Sequence, residues 1–234
     1  MALAELQARL KALGDPRVAE SSRRFFKTGP GEYGEGDRFR GIRVPVLRSL
    51  AKEYRAVTVP EAGRLLGSTF HEDRLLALLI LVRLYSRGDE ASRGEIYRLY
   101  LGGTKFINNW DLVDSSAEHI VGAHLRDRPR APLRRLAESA DLWERRVAVM
   151  ATFHFIRRGE FGETLDLARA LLSDREDLIH KAVGWMLREI GNRDPGAEEE
   201  FLQGHYRRMP RTMLRYAIEK FPEEKRRRYL KGEV

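Results

Sequence analysis

Apolar residues recur along this chain at the spacing of helix turns, and this recurrence limits its possible folds more than any other feature. One such series consists of Leu75, Leu78, Leu79 and Val82. These residues share one face because an α-helix turns once every 3.6 residues, whereas the alternation typical of strands occurs only in short runs. The pattern predicts an all-α chain with helices of roughly 10 to 18 residues.

A longer recurrence has a period of about 35 residues. Its landmarks are alanines in hydrophobic runs, with Leu112 filling one gap, at positions Ala77, Leu112, Ala148, Ala182 and Ala217. This period is typical of stacked helix pairs. We therefore expect a HEAT-like helical-repeat solenoid, a curved superhelix of antiparallel helix pairs, that forms a single domain over residues 1–234.

Positions two residues before the landmarks form a second series. Its members are Leu75, Trp110, Arg146, His180 and Arg215. Equivalent positions of a solenoid line one surface, so the series predicts a stripe on the concave side, with Trp110 in it. Since several members are basic, that stripe suits a phosphodiester backbone.

Charge and composition narrow the classes of partner and chemistry. The chain has 43 Lys and Arg against 35 Asp and Glu, a net charge of +8, which favours a polyanion such as nucleic acid. It has no cysteine, which excludes disulfides and thiol chemistry. The histidines lack metal-ligand spacing, so we expect neither a metal nor a cofactor. With no apolar run of 18 residues and an amphipathic N-terminus, we expect a cytoplasmic protein with no membrane contact.

A glycine-rich segment extends from Thr28 to Gly41. It lacks the spacing of a Walker or dinucleotide-binding loop, so we do not interpret it as a nucleotide site. Its acids and glycines suit an ordered surface loop, or simply a solvated one. Arg43, at the start of the next predicted helix, is a candidate phosphate contact.

The stretch NNWDLVDSSA places Trp110 and Asp114 four residues apart, on one face of a helix. An indole beside a carboxylate suits a cationic group. The residues alone leave a structural interpretation open, in which Trp110 is core and Asp111 or Asp114 caps the helix. Ser115 and the serine after it lack an evident base, so a serine hydrolase has no support.

Two further segments carry candidate residues. In LWERRVAVM, either Arg145 or Arg146 should face outwards, whichever side of the helix is buried. In KAVGWMLRE, Trp185 lies among apolar neighbours, so a core position is the default interpretation for it. Arg188 follows one helical turn later.

Four segments together resemble the DNA alkylation repair family of HEAT-like-repeat DNA glycosylases, the AlkD type. They are FKTGPGEYGEGDRFRGIRVPVLRSLAK, NNWDLVDSSA, LWERRVAVMATF and KAVGWMLREIGNRDP, and the resemblance spans about residues 10 to 225. It implies a monofunctional enzyme of base excision repair. Such enzymes release cationic alkylpurines, chiefly 3-methyladenine and 7-methylguanine, from duplex DNA without a base-flipping pocket.

The resemblance also assigns roles to individual residues. The catalytic candidates that it implies are Asp114, Trp110 and Trp185. The candidates for DNA phosphate contacts are Arg146, Arg188, Arg43 and Arg145. Relatives commonly carry a second aromatic residue just before the motif tryptophan, and this chain has Asn109 there.

Two other functions compete with the glycosylase. One is a helical-repeat module that binds nucleic acid without catalysis, and the other is a protein-interaction scaffold, a common use of solenoids. The basic stripe and the pairing of Trp110 with Asp114 favour DNA over a protein partner. The joint presence of Trp110, Asp114, Arg146 and Trp185 favours catalysis over binding alone. We expect the enzyme to act as a monomer at the nucleoid.

Overall fold

The computed structural model describes residues 2–234, and the regular structure in this part of the chain is helical. The helices are α1 (Ala2–Ala12), α2 (Pro16–Phe25), α3 (Val44–Glu53), α4 (Val59–Leu66), α5 (His71–Arg87), α6 (Glu90–Gly102), α7 (Trp110–Asp114), α8 (Ala131–Ala137), α9 (Leu142–Ala151), α10 (Phe153–Ile156), α11 (Gly162–Ala170), α12 (Asp177–Gly191), α13 (Pro195–His205), α14 (Arg211–Ala217) and α15 (Glu223–Lys231). Shorter 3-10 turns span Thr104–Phe106 and Ile218–Lys220, and a π-helical turn spans Glu118–Gly122. The expected all-α fold is confirmed.

The helices group into two compact units along the chain. Unit 1 is Met1–Ile120 and unit 2 is Val121–Val234. In unit 1 the long helix α5 packs against α3, α4, α6 and α7. In unit 2 the long helix α12 packs against α9, α10, α11, α13 and α14. Each unit therefore has its own hydrophobic core around one central helix.

All five landmarks of the 35-residue period are completely buried. They lie in α5, α7, α9, α12 and α14, and none has any exposed surface. Small residues at such positions let neighbouring helices approach closely, as the repeat pattern predicts.

The stripe predicted two residues before the landmarks is not a uniform surface. Leu75 is 3% exposed and Arg146 only 5%, whereas Arg215 is exposed. Helices α5 and α9 each pack against neighbours on more than one side, so a position opposite a buried landmark is buried as well. The prediction was wrong for Leu75 and Arg146 for that reason.

Several helix ends lie where the sequence carries start signals. Asp15 caps α2 with its side chain, accepting hydrogen bonds from two backbone N–H groups, and proline follows it. Asp89 and Asp194 cap α6 and α13 in the same way. Aspartate satisfies N–H groups that the first helical turn leaves unpaired, which explains why these boundaries are legible in sequence.

Within residues 2–234, every helix is too short or too polar to cross a membrane.

Candidate active site

The NNWDLVDSSA motif forms the five-residue helix α7 and the turn after it. Asn109 is the N-cap, and its Oδ1 accepts a hydrogen bond of 2.8 Å from the N–H of Trp110. Leu112 and Val113 have no exposed surface, which fixes the inner face of the helix. Trp110 and Asp114 remain partly exposed. The predicted arrangement of indole and carboxylate on one helix therefore occurs in the structure.

The two serines of the motif have structural partners. Ser115 Oγ donates to the carbonyl of Asp111 at 2.7 Å, and buried Ser116 Oγ donates to the carbonyl of Leu112 at 2.6 Å. Tyr100 Oη lies 3.0 Å from Ser116 Oγ. Burial raises the pKa of Tyr100 well above its usual value, and the negative charge of Asp114 acts in the same direction. These hydroxyls brace the end of α7 from inside unit 1.

Aromatic rings from α2 and its C-terminal end hold the Trp110 indole. The ring of Phe26 stacks on it with centroids 5.4 Å apart and planes inclined by 27°. Phe25 meets it edge-on at 5.8 Å. Phe26 also contacts Phe39 at 5.3 Å and His71 at 4.7 Å. Trp110 is thus neither a core residue nor a free surface ring, because one side of it is fixed by a cluster that begins at Phe25.

Buried His71, the first residue of α5, joins the motif to the glycine-rich segment. Its Nδ1 lies 2.9 Å from Asp37 Oδ2, and its Nε2 lies 2.8 Å from Asp111 Oδ2. A neutral imidazole has one N–H, so only the doubly protonated ring can donate to both carboxylates. Burial opposes that charge, but the hydrogen bonds to Asp111 and Asp37 raise the pKa of His71 to about 9. His71 is therefore an imidazolium at neutral pH.

A second cation completes this buried network. Arg74 Nη2 donates to Asp37 Oδ1 at 2.5 Å and to Asn108 Oδ1 at 3.2 Å. Burial of Asp37 opposes its ionisation, yet the hydrogen bond from His71 and the charge of Arg74 lower its pKa below the usual value. Two cations and two carboxylates compensate one another, which a buried charge requires. We call His71, Arg74, Asp37 and Asp111 the charged network.

The glycine-rich segment packs into unit 1 instead of projecting from it. Glu72 of α5 accepts backbone hydrogen bonds from Arg40 at 2.8 Å, Gly41 at 2.7 Å and Ile42 at 3.2 Å. Asp73 forms a two-point ion pair with the Arg40 guanidinium. The expectation of a surface loop was wrong for this end of the segment. The acids that hold this end, Glu72 and Asp73 of α5, lie about 30 residues away in sequence.

Asn109, the N-cap of α7, has no exposed surface. Gly34 of the glycine-rich segment adjoins it: a Cβ added at Gly34 would lie 3.5 Å from Asn109 Nδ2 and only 2.4 Å from the carbonyl oxygen of Phe26. Asn109 therefore acts on the site indirectly, by capping α7 and by accommodating the segment that carries Gly34.

In unit 2, Trp185 lies near the middle of α12 and is partly exposed, so the default interpretation as a core residue was wrong. Its Nε1 donates to Glu189 Oε1 at 3.2 Å, one turn along the same helix. Its ring centroid lies 6.2 Å from that of Phe153.

The three predicted phosphate contacts of unit 2, Arg145, Arg146 and Arg188, all bind protein groups. Arg145 pairs with Asp174 at 2.7 Å, and its side chain is only 14% exposed. Arg146 donates to the backbone carbonyl of Leu178. The expectation that one of the two faces outwards was wrong, because α9 is covered on several sides. Arg188 forms an ion pair with Glu219, and its side chain is 17% exposed.

Arg43 differs from those three arginines. It is the N-terminal cap of α3, as its sequence position predicts, and it is exposed with no ion pair to any residue in the described part of the chain. Among the four predicted phosphate contacts, it alone combines exposure with an unengaged guanidinium.

The charged network and the Phe25–Phe26 pair had no signal in the sequence that we recognised. His71 is 40 residues from Asp111 and 34 from Asp37. A histidine at the start of a helix, an aspartate in a loop, another in the first turn of a short helix and two adjacent phenylalanines are individually common features.

The chain matches known proteins in sequence pattern and in fold. A family model described as "DNA alkylation repair enzyme" matches residues 6–221. The chain belongs to this family. The resemblance read from the sequence is therefore confirmed, and with it a role in DNA alkylation repair. A comparison with curated proteins found no match.

Two proteins of known structure share the fold of this chain. A predicted DNA alkylation repair enzyme from Enterococcus faecalis has a TM-score of 0.69 at 17% identity, covering 90% of this chain and 97% of that one. AlkD2 from Streptococcus mutans has a TM-score of 0.53 at 16% identity, covering 94% of this chain and 99% of that one. At such identities the similarity concerns the fold alone.

Proposed function

We propose that this protein is a monofunctional DNA glycosylase that releases cationic alkylpurines, chiefly 3-methyladenine and 7-methylguanine, from duplex DNA. The observation that carries the proposal is the pattern of buried and exposed residues on α7. Its apolar residues are fully buried while Trp110 and Asp114 stay partly exposed on one short helix. Membership in a DNA alkylation repair family supports DNA as the partner.

Asp114 is the proposed catalytic carboxylate. Asp111 of the same motif binds His71 and the N–H of Leu112 and belongs to the charged network. In the reaction, the C1′–N9 bond breaks and its electron pair neutralises the cationic purine. Positive charge then develops at C1′, where a fixed carboxylate is stabilising. Asp114 also orients the attacking water, whose oxygen bonds to C1′ while its proton passes to the solvent.

Trp110 and Trp185 are the proposed contacts to the sugar and the lesion. An indole face attracts a cation by about 0.5 to 2 kcal/mol, so these rings favour charged lesions over normal bases. Since a cationic purine already leaves easily, the enzyme has no need to bury the lesion base in a pocket.

Arginines supply the proposed contacts to DNA phosphates. Arg43 is placed best for this role, because it is exposed and has no ion pair within the described residues. Arg145, Arg146 and Arg188, which also bind protein groups, are the other proposed phosphate contacts. Affinity should fall steeply with salt, as counterion release requires. No lysine lies in the motif to form a Schiff base, so strand cleavage is not expected. We further propose that the enzyme acts as a monomer in the cytoplasm, at the nucleoid.

The test is release of 7-methylguanine from methylated duplex DNA by wild type and by Asp114→Asn. We expect the substitution to lower the single-turnover rate roughly 100- to 1000-fold, the usual effect of removing one electrostatic contact to a transition state. Asp127→Asn, whose side chain is 84% exposed, is the matched control and should react like wild type.

The outcomes separate the competing functions. If wild type binds duplex DNA but releases no base, the protein is a non-catalytic DNA-binding module. Absence of both release and salt-dependent binding would indicate a protein-interaction scaffold. If Asp114→Asn reacts like wild type, the enzyme stands but the role of Asp114 is wrong.

A further inference from the structure

A cleft of about 790 Å³ lies between α2 and α3 in unit 1. Leu47 and Leu75, both buried, contribute to its lining, and Phe25 and Phe26 line it from α2 and the residue after it. Its volume falls within the roughly 300–1000 Å³ of sites that enclose small organic groups. The cleft is therefore large enough for one aromatic ligand.

Exposed apolar side chains are concentrated around this cleft. Phe25 is 65% exposed and Val44 is 41% exposed, and both line it. Val46, on the same helix as Val44, is 37% exposed. Phe25 touches Phe26 and Trp110 only in edge-to-face contacts, so most of its ring is open to solvent. Grouped apolar exposure of this kind indicates a binding surface.

Positive charge accompanies the aromatic surface. Arg17 and Arg43 both line the cleft and are exposed. Neither forms an ion pair with another residue of the described chain, in contrast to Arg145 and Arg188 of unit 2. An exposed aromatic ring and two guanidinium groups in the lining of one cleft suit a nucleotide, because bases stack on aromatic rings and phosphates pair with arginine.

The DNA partner can place a nucleotide in this cleft only if the nucleotide has left the base stack. Within a duplex, both faces of a base are covered by its neighbours. Asp114 is not among the residues that line the cleft, so the lesion under attack is not the occupant. When a damaged base pair opens, the nucleotide opposite the lesion loses its pairing partner. Its extrusion from the base stack then costs little free energy.

We propose that the cleft between α2 and α3 binds one unpaired nucleotide of the DNA, other than the lesion, with its base on Phe25 and its phosphates on Arg17 and Arg43. This proposal rests on the proposed function, since it takes DNA as the partner. Because Phe25 also contacts Trp110, occupancy of the cleft would fix the indole proposed to grip the lesion's sugar.

The experiment compares binding of two unmodified duplexes of the same sequence, one fully paired and one with a single bulged 2-aminopurine. Wild type should bind the bulged duplex roughly 5- to 100-fold more tightly, the range expected for one base stacked on an aromatic ring. The 2-aminopurine fluorescence should fall on binding. Phe25→Ala should remove the preference while keeping its affinity for the paired duplex within about twofold. Phe25→Trp should retain it.

Tyr216→Ala is the matched control, because it removes an exposed aromatic ring of unit 2 and should leave the preference intact. Arg17→Gln should weaken binding to the bulged duplex more than to the paired one, and it tests the cleft even if Phe25→Ala folds poorly. Equal affinity of wild type for both duplexes would overturn the proposal, as would a preference that survives both Phe25→Ala and Arg17→Gln. Failure of the glycosylase shows separately, as absence of 7-methylguanine release.

Discussion

The two tryptophans that the sequence singles out are positioned by different means. Trp110 begins a helix of five residues, which is too short to be stable alone, and it depends on rings and charges from distant parts of unit 1. Trp185 lies in a 15-residue helix of unit 2 and bonds to Glu189 of that same helix. Unit 1 therefore places its candidate residue by long-range contacts, whereas unit 2 uses local ones.

One buried acid of unit 2 differs from the acids of the charged network. In unit 1, each buried carboxylate of the charged network has a cationic partner. In unit 2, Glu198 is 3% exposed, and its Oε1 has no hydrogen-bond partner among the described residues. Compensated charges can rigidify a site, whereas an uncompensated carboxyl tends to stay protonated. Four substitutions test how each of the two units is held together, from the largest expected effect to the smallest.

Gly41→Ala should destabilise unit 1 by about 3 to 5 kcal/mol. Gly41 has φ of +83°, and an added Cβ would lie 2.0 Å from the carbonyl oxygen of Asp15. Gly31→Ala is the control, since its φ is +76° but no atom lies within 4 Å of the added Cβ. We expect Gly31→Ala to lower the free energy of unfolding by about 1 kcal/mol, which is the effect of the left-handed backbone alone. Denaturant unfolding measures the stability of both variants. Equal losses of stability would show that the glycine-rich segment is not held against α2.

His71→Leu should cost about 3 kcal/mol, because it leaves the carboxylates of Asp37 and Asp111 without the cation between them. Hydrogen exchange should show the loss in unit 1 and not in unit 2. His119→Leu, whose side chain is 47% exposed, should have little effect. Uniform weakening of both units would contradict local control by the charged network.

The same substitution should change the dependence of stability on pH. The folded-state pKa of His71, about 9, exceeds its ordinary value of 6.5. Its contribution is therefore complete below pH 6.5 and is lost as the pH rises through 9. Wild type should lose stability across that interval, and His71→Leu should lose less.

Arg146→Met should cost about 2 kcal/mol, because the carbonyl of Leu178 loses a buried charged donor. Arg215→Met, at the equivalent repeat position but exposed, should change stability by less than about 0.5 kcal/mol. Thermal unfolding gives these values, and the salt dependence of DNA binding gives the number of phosphate contacts. If Arg146→Met reduces the salt dependence of DNA binding but leaves the free energy of unfolding unchanged, Arg146 does not stabilise the core of unit 2.

Glu198→Gln should have the smallest effect, a rise in Tm of about 2 to 4 °C at pH 9. Burial raises the pKa of Glu198 to about 8, above its ordinary value of 4.5. The stability linked to its proton is complete below pH 4.5 and is lost as the pH rises through 8, a loss that glutamine avoids. The gain should vanish at pH 5. A gain that persists there would mean that charge is not its cause.

Local patterns made much of the fold predictable. The five landmarks at the 35-residue period are all buried, because helical periodicity and residue size act over short distances. The caps at Asp15 and Asp89 depend on neighbours two or three residues away. The shared face of Trp110 and Asp114 follows from the i, i+4 geometry of any helix.

The wrong predictions concern partners that are far apart in the chain. Arg145 pairs with Asp174, and Arg40 with Asp73, across about 30 residues. Sequence spacing indicates which helix face a residue occupies, but not which other element covers that face. For the same reason, the sequence does not show that Asp37 of the glycine-rich segment is buried against His71.

The sequence by itself determined the helices, their repeat and the pairing of Trp110 with Asp114, since these depend on backbone geometry within a few residues. Only the tertiary structure decided the environment of that pair. The imidazolium of His71, the Phe25–Phe26 cluster and the cleft with free Arg17 and Arg43 arise where separate segments meet. Burial and electrostatics act through space, so the partner that sets each charge is fixed only when the chain has folded.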